Sequence, residues 1–272
     1  MARILAHRGI RIIFLCHNAV DHEAAGWKLQ ITKRVLRCGA GFVVHNRSDR
    51  EALVQLLGGG AISLCPLPVY SQFGGAGSRK LPRRGKLELL FFGFVRHYKG
   101  LDVLLKALQY LPREQFFLQI VGEFWQGEDE YKDLVTNLDL VGNVEFVPRY
   151  VPEEEASSYF QRADFVILPY RSATGSAVTG LAYNFDKPVV VTNVGGLPDV
   201  VVEGETGFIV PPESPDKLAE LLRSLSAEKA SSMAAHIRRH KRTMTWEAYA
   251  QVCLDLSCSH AEGESQTGSE RA

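Results

Sequence analysis

At 272 residues the chain is long enough for two modest domains, each with its own core. Acidic and basic side chains balance at 31 each, for a net charge of +0, which argues against a nucleic-acid partner. No stretch reaches the roughly 18 apolar residues of a membrane span, and five scattered cysteines without metal spacing fit reduced thiols, so a cytoplasmic chain is expected.

Arg11–Cys16 is apolar and reads as a strand that ends at His17 and Asn18. It does not read as a signal peptide, because Arg11 interrupts it and no small-residue cleavage site follows. Trp27–Cys38 has helical spacing, with Leu29, Val35 and Leu36 on one face. Gly41–His45 is a second strand. Ser48 followed by Glu51 predicts a capping box for a helix over Arg50–Leu57, stopped by Gly58. Ala61–Cys65 is a third strand. From Ser71 to Gly85 glycine and basic residues accumulate, which is linker chemistry.

A new series begins with strand Leu87–Phe92 and, after the loop Gly93–Gly100, the helix Leu101–Tyr110. Strand Phe116–Val121 precedes a helix over Asp129–Leu138. Val144–Val147 is followed by helix Glu153–Arg162, and Phe165–Leu168 by a helix opening at Gly175, Ser176 and Ala177. Strands Pro188–Thr192 and Gly207–Val210 lead to helix Pro215–Ser226, and Trp246–Leu256 forms a last helix. Strands that alternate with helices predict parallel sheets with right-handed crossovers. After Ser257 the chain is polar and rich in Gly, Ser and Glu, the composition of a disordered tail.

Ligands of open parallel sheets lie beyond the carboxyl ends of the strands. Two loops there carry anion chemistry. Gly175, Ser176 and Ala177, opening a helix, would offer backbone N–H donors and a positive dipole end to a phosphate. The alternative is a plain helix cap bound to nothing. Gly93–Gly100 delivers Arg96 and Lys99 three residues apart; Arg forks onto phosphate oxygens and Lys adds a mobile charge. The alternative there is a solvated basic loop. Both loops together favour a pyrophosphate. His17, at a strand end, is a base or sugar-binding candidate, although a lone loop histidine is more often neither.

The blocks "FLCHNAVDHE", "FFGFVRHYKGLDVLLKAL", "LQIVGEFW" and "FVPRYVPEEEASSYFQRADFVILPYRSATGSAVTGLAYNFDKPVVVTNVGGLPDVVVEGETGFIV" resemble, in order and spacing, the retaining glycosyltransferases of GT-B-fold family 4. The likeness runs from about residue 10 to residue 256. It implies an α/β fold of GT-B type, with a complete C-terminal Rossmann-like domain and a partial N-terminal one. The domains implied are 1–75 on the acceptor side, a linker 76–86, a nucleotide-sugar domain 87–240, a helix 241–257 packing back on the N-terminal part, and a tail 258–272.

The resemblance also assigns roles. Arg96 and Lys99 stabilise the donor diphosphate and the leaving charge. Gly175, Ser176 and Ala177 hold the same phosphates by their backbone, and Gly93, Gly122, Thr174 and Val178 bind the donor. Arg149, Tyr150 and Val151 contact the base, and His17 stands near the transferred sugar. The substrates implied are a nucleoside-diphosphate sugar and a glycan, lipid-linked or small-molecule acceptor, with no cofactor and no metal. The setting implied is polysaccharide synthesis, with peripheral association at the inner face of a membrane.

Two departures accompany the likeness. The family's paired glutamates, of which the second grips the ribose, fall on Ala173 and Leu181. The N-terminal domain also lacks its earlier strands, so a further segment or a partner chain is expected to complete it. Two readings follow: a hexosyltransferase with retained anomeric configuration, or an inactive homologue that binds nucleotide or a partner. A nucleotide-sugar epimerase would need a cleft carboxylate set that the sequence does not offer.

Overall fold

The computed structural model describes residues 1–17, 26–69 and 80–258. Contacts divide the chain into two units, Met1–Pro68 with Met244–Ala272, and Val69–Thr243. Asn18, the linker-like residues 71–79 and the tail from residue 259 lie outside the described residues.

The first unit opens with a short helix, α1 (Ala2–His7), for which the sequence reading had no element. Strands β1 (Ile13–Cys16), β2 (Gly41–Val44) and β3 (Ile62–Leu64) then form a parallel sheet in that order. Helix α2 (Gly26–Leu36) joins the first two strands, and α3 (Arg47–Leu57) the second and third. Asn46, not Ser48, caps α3: its Oδ1 accepts the Asp49 N–H at 2.7 Å, and its Nδ2 donates to the Asp49 carboxylate at 2.6 Å. The capping-box pattern misplaced the cap by two residues, because Asn caps as well as Ser. Phe42, Val44, Leu53 and Leu36 pack on one side of the sheet. On the other side the last helix of the described chain, Trp246–Cys258, lays Tyr249 and Leu256 against Val43 and Cys65.

In the second unit six strands are all parallel: β4 (Leu87–Phe92), β5 (Phe116–Val121), β6 (Val144–Val147), β7 (Phe165–Leu168), β8 (Val189–Thr192) and β9 (Gly207–Val210). Their order across the sheet is β6-β5-β4-β7-β8-β9. Near-continuous apolar strands follow from burial on both faces. The crossovers use α4 (Leu101–Leu108), α5 (Glu128–Asn137), α6 (Glu153–Arg162), α7 (Ala177–Asn184) and α8 (Pro215–Ser224). A further helix, α9 (Ala227–His240), has no counterpart in the sequence reading; Ser226 caps it, and Ala230, Met233 and Ile237 bury its inner stripe.

Residues 83–86 of the expected linker are fixed to the base of this second unit. Arg83 forks onto Asp164 at 2.9 and 2.6 Å, and the Gly85 N–H donates to Glu88 at 2.9 Å.

Candidate functional site

The strand order reverses between β4 and β7, which pair with each other although β5 and β6 intervene in the chain. Connections leave these two strands toward opposite faces, which opens a crevice beyond their carboxyl ends. The loop after β4 carries Gly93 to Gly100, and the loop after β7 leads into α7. Both anion-type loops of the sequence therefore flank one crevice.

Lys99 sits in a single 3-10 turn, His97–Lys99, and is buried at 8% exposure. Its ammonium lies 3.2 Å from the place a Cβ on Gly93 would occupy, and that same place is 3.8 Å from Val178 of α7. The Tyr170 ring is 5.5 Å from the ammonium. No carboxylate pairs with Lys99 among the described residues. Burial, reinforced by the nearby Arg96 charge, lowers its pKa from 10.5 to about 8. A buried cation without a counter-charge is unfavourable in itself and is relieved by an anion from outside.

Helix α7 begins two residues later than the sequence suggested. Ser176 is the N-cap, and its Oγ accepts the Val178 N–H at 3.2 Å. Gly175 and Ser176 therefore precede the helix, and Ala177 is its first residue. No acceptor among the described residues takes the N–H of Gly175, Ser176 or Ala177. Thr174 lies beneath, its carbonyl accepting the Gly196 N–H at 3.2 Å. Gly195 must be glycine: its φ is +48° and a Cβ would fall 1.5 Å from the Ala173 carbonyl oxygen.

Beside this corner lies a cavity of about 200 Å³ lined by Phe92, Gly93, Phe94, Gly122, Glu123, Tyr150, Val151, Glu153 and Leu181. Its position unites four predicted residues, Gly93, Gly122, Tyr150 and Val151. Gly122 has φ +139°, and a Cβ there would meet the Gly93 carbonyl oxygen at 2.3 Å, so glycine keeps the two loops in contact. The walls are mostly apolar and Tyr150 is 67% exposed, which suits a flat ring lying against an aromatic face. Leu181, from α7, forms part of the wall. Glu123 and Glu153, which sequence reasoning passed over, bring the cavity its carboxylates; their place at a strand end and in the first turn of α6 was the available signal.

Two predicted cations stand elsewhere. Arg96 is exposed and stacks its guanidinium 4.5 Å from the ring centre of Trp125, not against the start of α7. Arg149 forks onto Glu155, one contact being 2.9 Å, and does not line the cavity. An ion pair with a carboxylate six residues on satisfies its charge, a pairing that single-residue reading does not reveal.

His17 belongs to the first unit, at the carboxyl end of β1, with its ring 4.8 Å from that of His45. His45 donates from Nδ1 to the Cys65 carbonyl at 3.0 Å. Burial pushes the His45 pKa down, the Cys65 bond opposing it, and His17 adds to the depression. No group of three or more His, Cys, Asp or Glu side chains is placed to hold a metal ion among the described residues. No helix among them is long and apolar enough to cross a membrane.

Comparison with known proteins accords with this geometry. A D-inositol 3-phosphate glycosyltransferase of Rhodococcus opacus is 31% identical over 175 residues, 61% of this chain and 39% of that relative. One of the same name from Kineococcus radiotolerans is 28% identical over 254 residues, 82% of this chain and 58% of the relative. The chain thus spans about two fifths to three fifths of the length of these relatives. The structure of Anabaena HepE in complex with UDP superposes with a TM-score of 0.78 at 18% identity, over 94% of this chain and 74% of that one. The fold is α/β of the GT-B type. Residues 78–244, more than half of the chain, match the family described as glycosyl transferases group 1, and the chain belongs to that family.

Proposed function

We propose that the protein transfers a hexose from a nucleoside-diphosphate sugar to a hydroxyl acceptor, with retention of anomeric configuration. The observation that carries this reading is Lys99, a buried ammonium with no carboxylate partner among the described residues, beside Gly93, whose missing side chain would also touch Val178 in the first turn of α7. The donor diphosphate would sit between that ammonium and the N–H groups of Gly175, Ser176 and Ala177. Charge that develops on the departing diphosphate is then met by fixed donors and a helix dipole, which need no reorganisation as the glycosidic bond breaks. The base would lie on Tyr150 beside the Val151 backbone. A uridine donor is favoured, because the Anabaena neighbour was crystallised with UDP and with UDP-glucose. Relatives named for an inositol phosphate suggest a small phosphorylated acceptor as one class to assay, beside glycan and lipid-linked ones. The setting is polysaccharide or lipid-linked glycan assembly at the cytoplasmic face of a membrane.

Leu181 favours a second reading, a homologue that binds nucleotide without turnover, since no carboxylate stands on that wall of α7. Calorimetry with UDP and GDP, together with hydrolysis and transfer assays on UDP- and GDP-sugars, separates the two. Binding with turnover supports the transferase. Binding without turnover selects the second reading, and neither binding nor turnover overturns both.

A further inference from the structure

A second cavity in the same unit, about 280 Å³, is lined by Val95, Arg96, His97, Trp125, Gln126, Gly127, Glu130 and Tyr131. It lies beyond the carboxyl ends of β4 and β5 and shares no lining residue with the first. Trp125 is 65% exposed, yet its loop is pinned: its N–H donates to the Val95 carbonyl at 3.2 Å, and the Val95 N–H to Glu123 at 2.8 Å. The Arg96 guanidinium meets this indole 4.5 Å from its ring centre, and the remainder is a large apolar surface open to a ligand. Around it stand groups whose hydrogen-bonding capacity is unspent. Arg96 touches the indole and meets no carboxylate among the described residues; Glu130, on α5, meets no cation. The two line one cavity and do not bond each other. Gln126 adds an amide at the rim.

We infer that this cavity is a saccharide subsite that takes a pyranose ring of the acceptor. The apolar C–H face of a pyranose fits a flat indole, and its vicinal hydroxyls both donate and accept. Glu130 would accept from them while Arg96 and Gln126 donate, which satisfies charged groups that the protein leaves open. At about 280 Å³ the cavity has room for one such ring. Only the acceptor role rests on the glycosyl-transfer reading; the binding of a pyranose stands apart from it.

The chain has three tryptophans, and Trp27 and Trp246 are both exposed positions of the other unit. Replacing them, as Trp27→Phe and Trp246→Phe, leaves Trp125 as the sole indole reporter in the full chain. Titration with methyl glucoside, methyl mannoside and methyl galactoside, each with and without UDP, should give a saturable fluorescence change for at least one. Glycerol at equal concentration should give none. Glu130→Ala and Gln126→Ala should each weaken that binding by about tenfold while UDP affinity stays unchanged. Changes that are linear for all three glycosides overturn the subsite, as does saturable binding that both substitutions leave intact. UDP binding is read by calorimetry in the same samples. Its loss with glycoside binding retained strikes the donor reading alone, and the reverse strikes only this inference.

Discussion

The Lys99 ammonium rests against Gly93, 3.2 Å from where a side chain there would start. Two features of that glycine matter: its φ of +93° and the room it leaves for the cation. Gly93→Ala should strain the backbone by about 1–3 kcal/mol and displace Lys99 from the crevice. UDP affinity measured by calorimetry should fall by about tenfold or more. Unchanged affinity in a folded variant would show that the position of Lys99 is irrelevant to the anion.

A pKa of about 8 makes nucleotide binding sensitive to pH in an accessible range. The protonated amine is the form that attracts phosphate. UDP affinity should therefore hold below that value and decline as pH rises through it. Bound phosphate favours the charged form, so the midpoint in the complex lies above 8. Calorimetric titrations on either side of that value check this, with Lys99→Met as the reference whose affinity is low and flat.

The same residue should oppose stability. Its folded pKa lies below its unfolded one, so the unfolded chain holds the extra proton between about 8 and 10.5. Stability therefore rises with pH across that window, and at neutral pH the buried charge disfavours the fold by on the order of 3 kcal/mol. Lys99→Met keeps the length and removes the charge. It should raise the urea midpoint at pH 7, and the gain should vanish above the window. A midpoint that falls at neutral pH would mean that Lys99 has a stabilising partner.

Much of this was legible in the sequence, and the exceptions share a cause. Each strand of the larger sheet could be read, because continuous runs such as Phe165–Leu168 reflect burial on both faces. The two anion loops could be placed at one edge, since parallel strands deliver successive loops to the same end. Helix α9 was missed although Ala230, Met233 and Ile237 recur at helical spacing, because polar and small residues dilute that stripe. Side-chain destinations were less accessible. Arg149 is held by Glu155 and Arg96 by Trp125, and such pairings depend on tertiary placement, not on residue type. The second cavity was invisible for the same reason, since its parts come from two separate segments, 95–97 and 125–131.

Tyr150 offers a test of the first cavity that hardly touches folding. It is 67% exposed, so Tyr150→Ala should change stability little, within about 0.5 kcal/mol. A base stacked on an aromatic ring is worth about 1–3 kcal/mol, so UDP affinity should fall by about fivefold or more. Inorganic pyrophosphate, which has no base, should compete equally well in both proteins. Equal loss for both ligands would place the diphosphate, not the base, on this residue.

At the opposite end of the same strands, Arg162 and Glu88 form a pair that the crevice does not use. The guanidinium Nε donates to Glu88 at 2.8 Å, with side chains 3% and 1% exposed. Glu145 stands 3.7 Å away, and the Phe117 ring 4.7 Å. Glu88 also accepts from the backbone of Arg84 and Gly85, so it ties the connecting segment to the sheet. Arg162→Leu leaves that carboxylate buried without its cation and should destabilise the protein by about 3–5 kcal/mol in urea unfolding. Adding Glu88→Gln removes the stranded charge yet keeps an acceptor for both backbone donors, so part of the loss should return. The second substitution alone would leave Arg162 with only the more distant Glu145, and should be harmful by itself. A double-mutant cycle therefore gives a coupling of at least about 1 kcal/mol if the two act as one unit. Simple additivity would mean that the backbone bonds to Glu88, and not its ion pair, hold this end of the sheet.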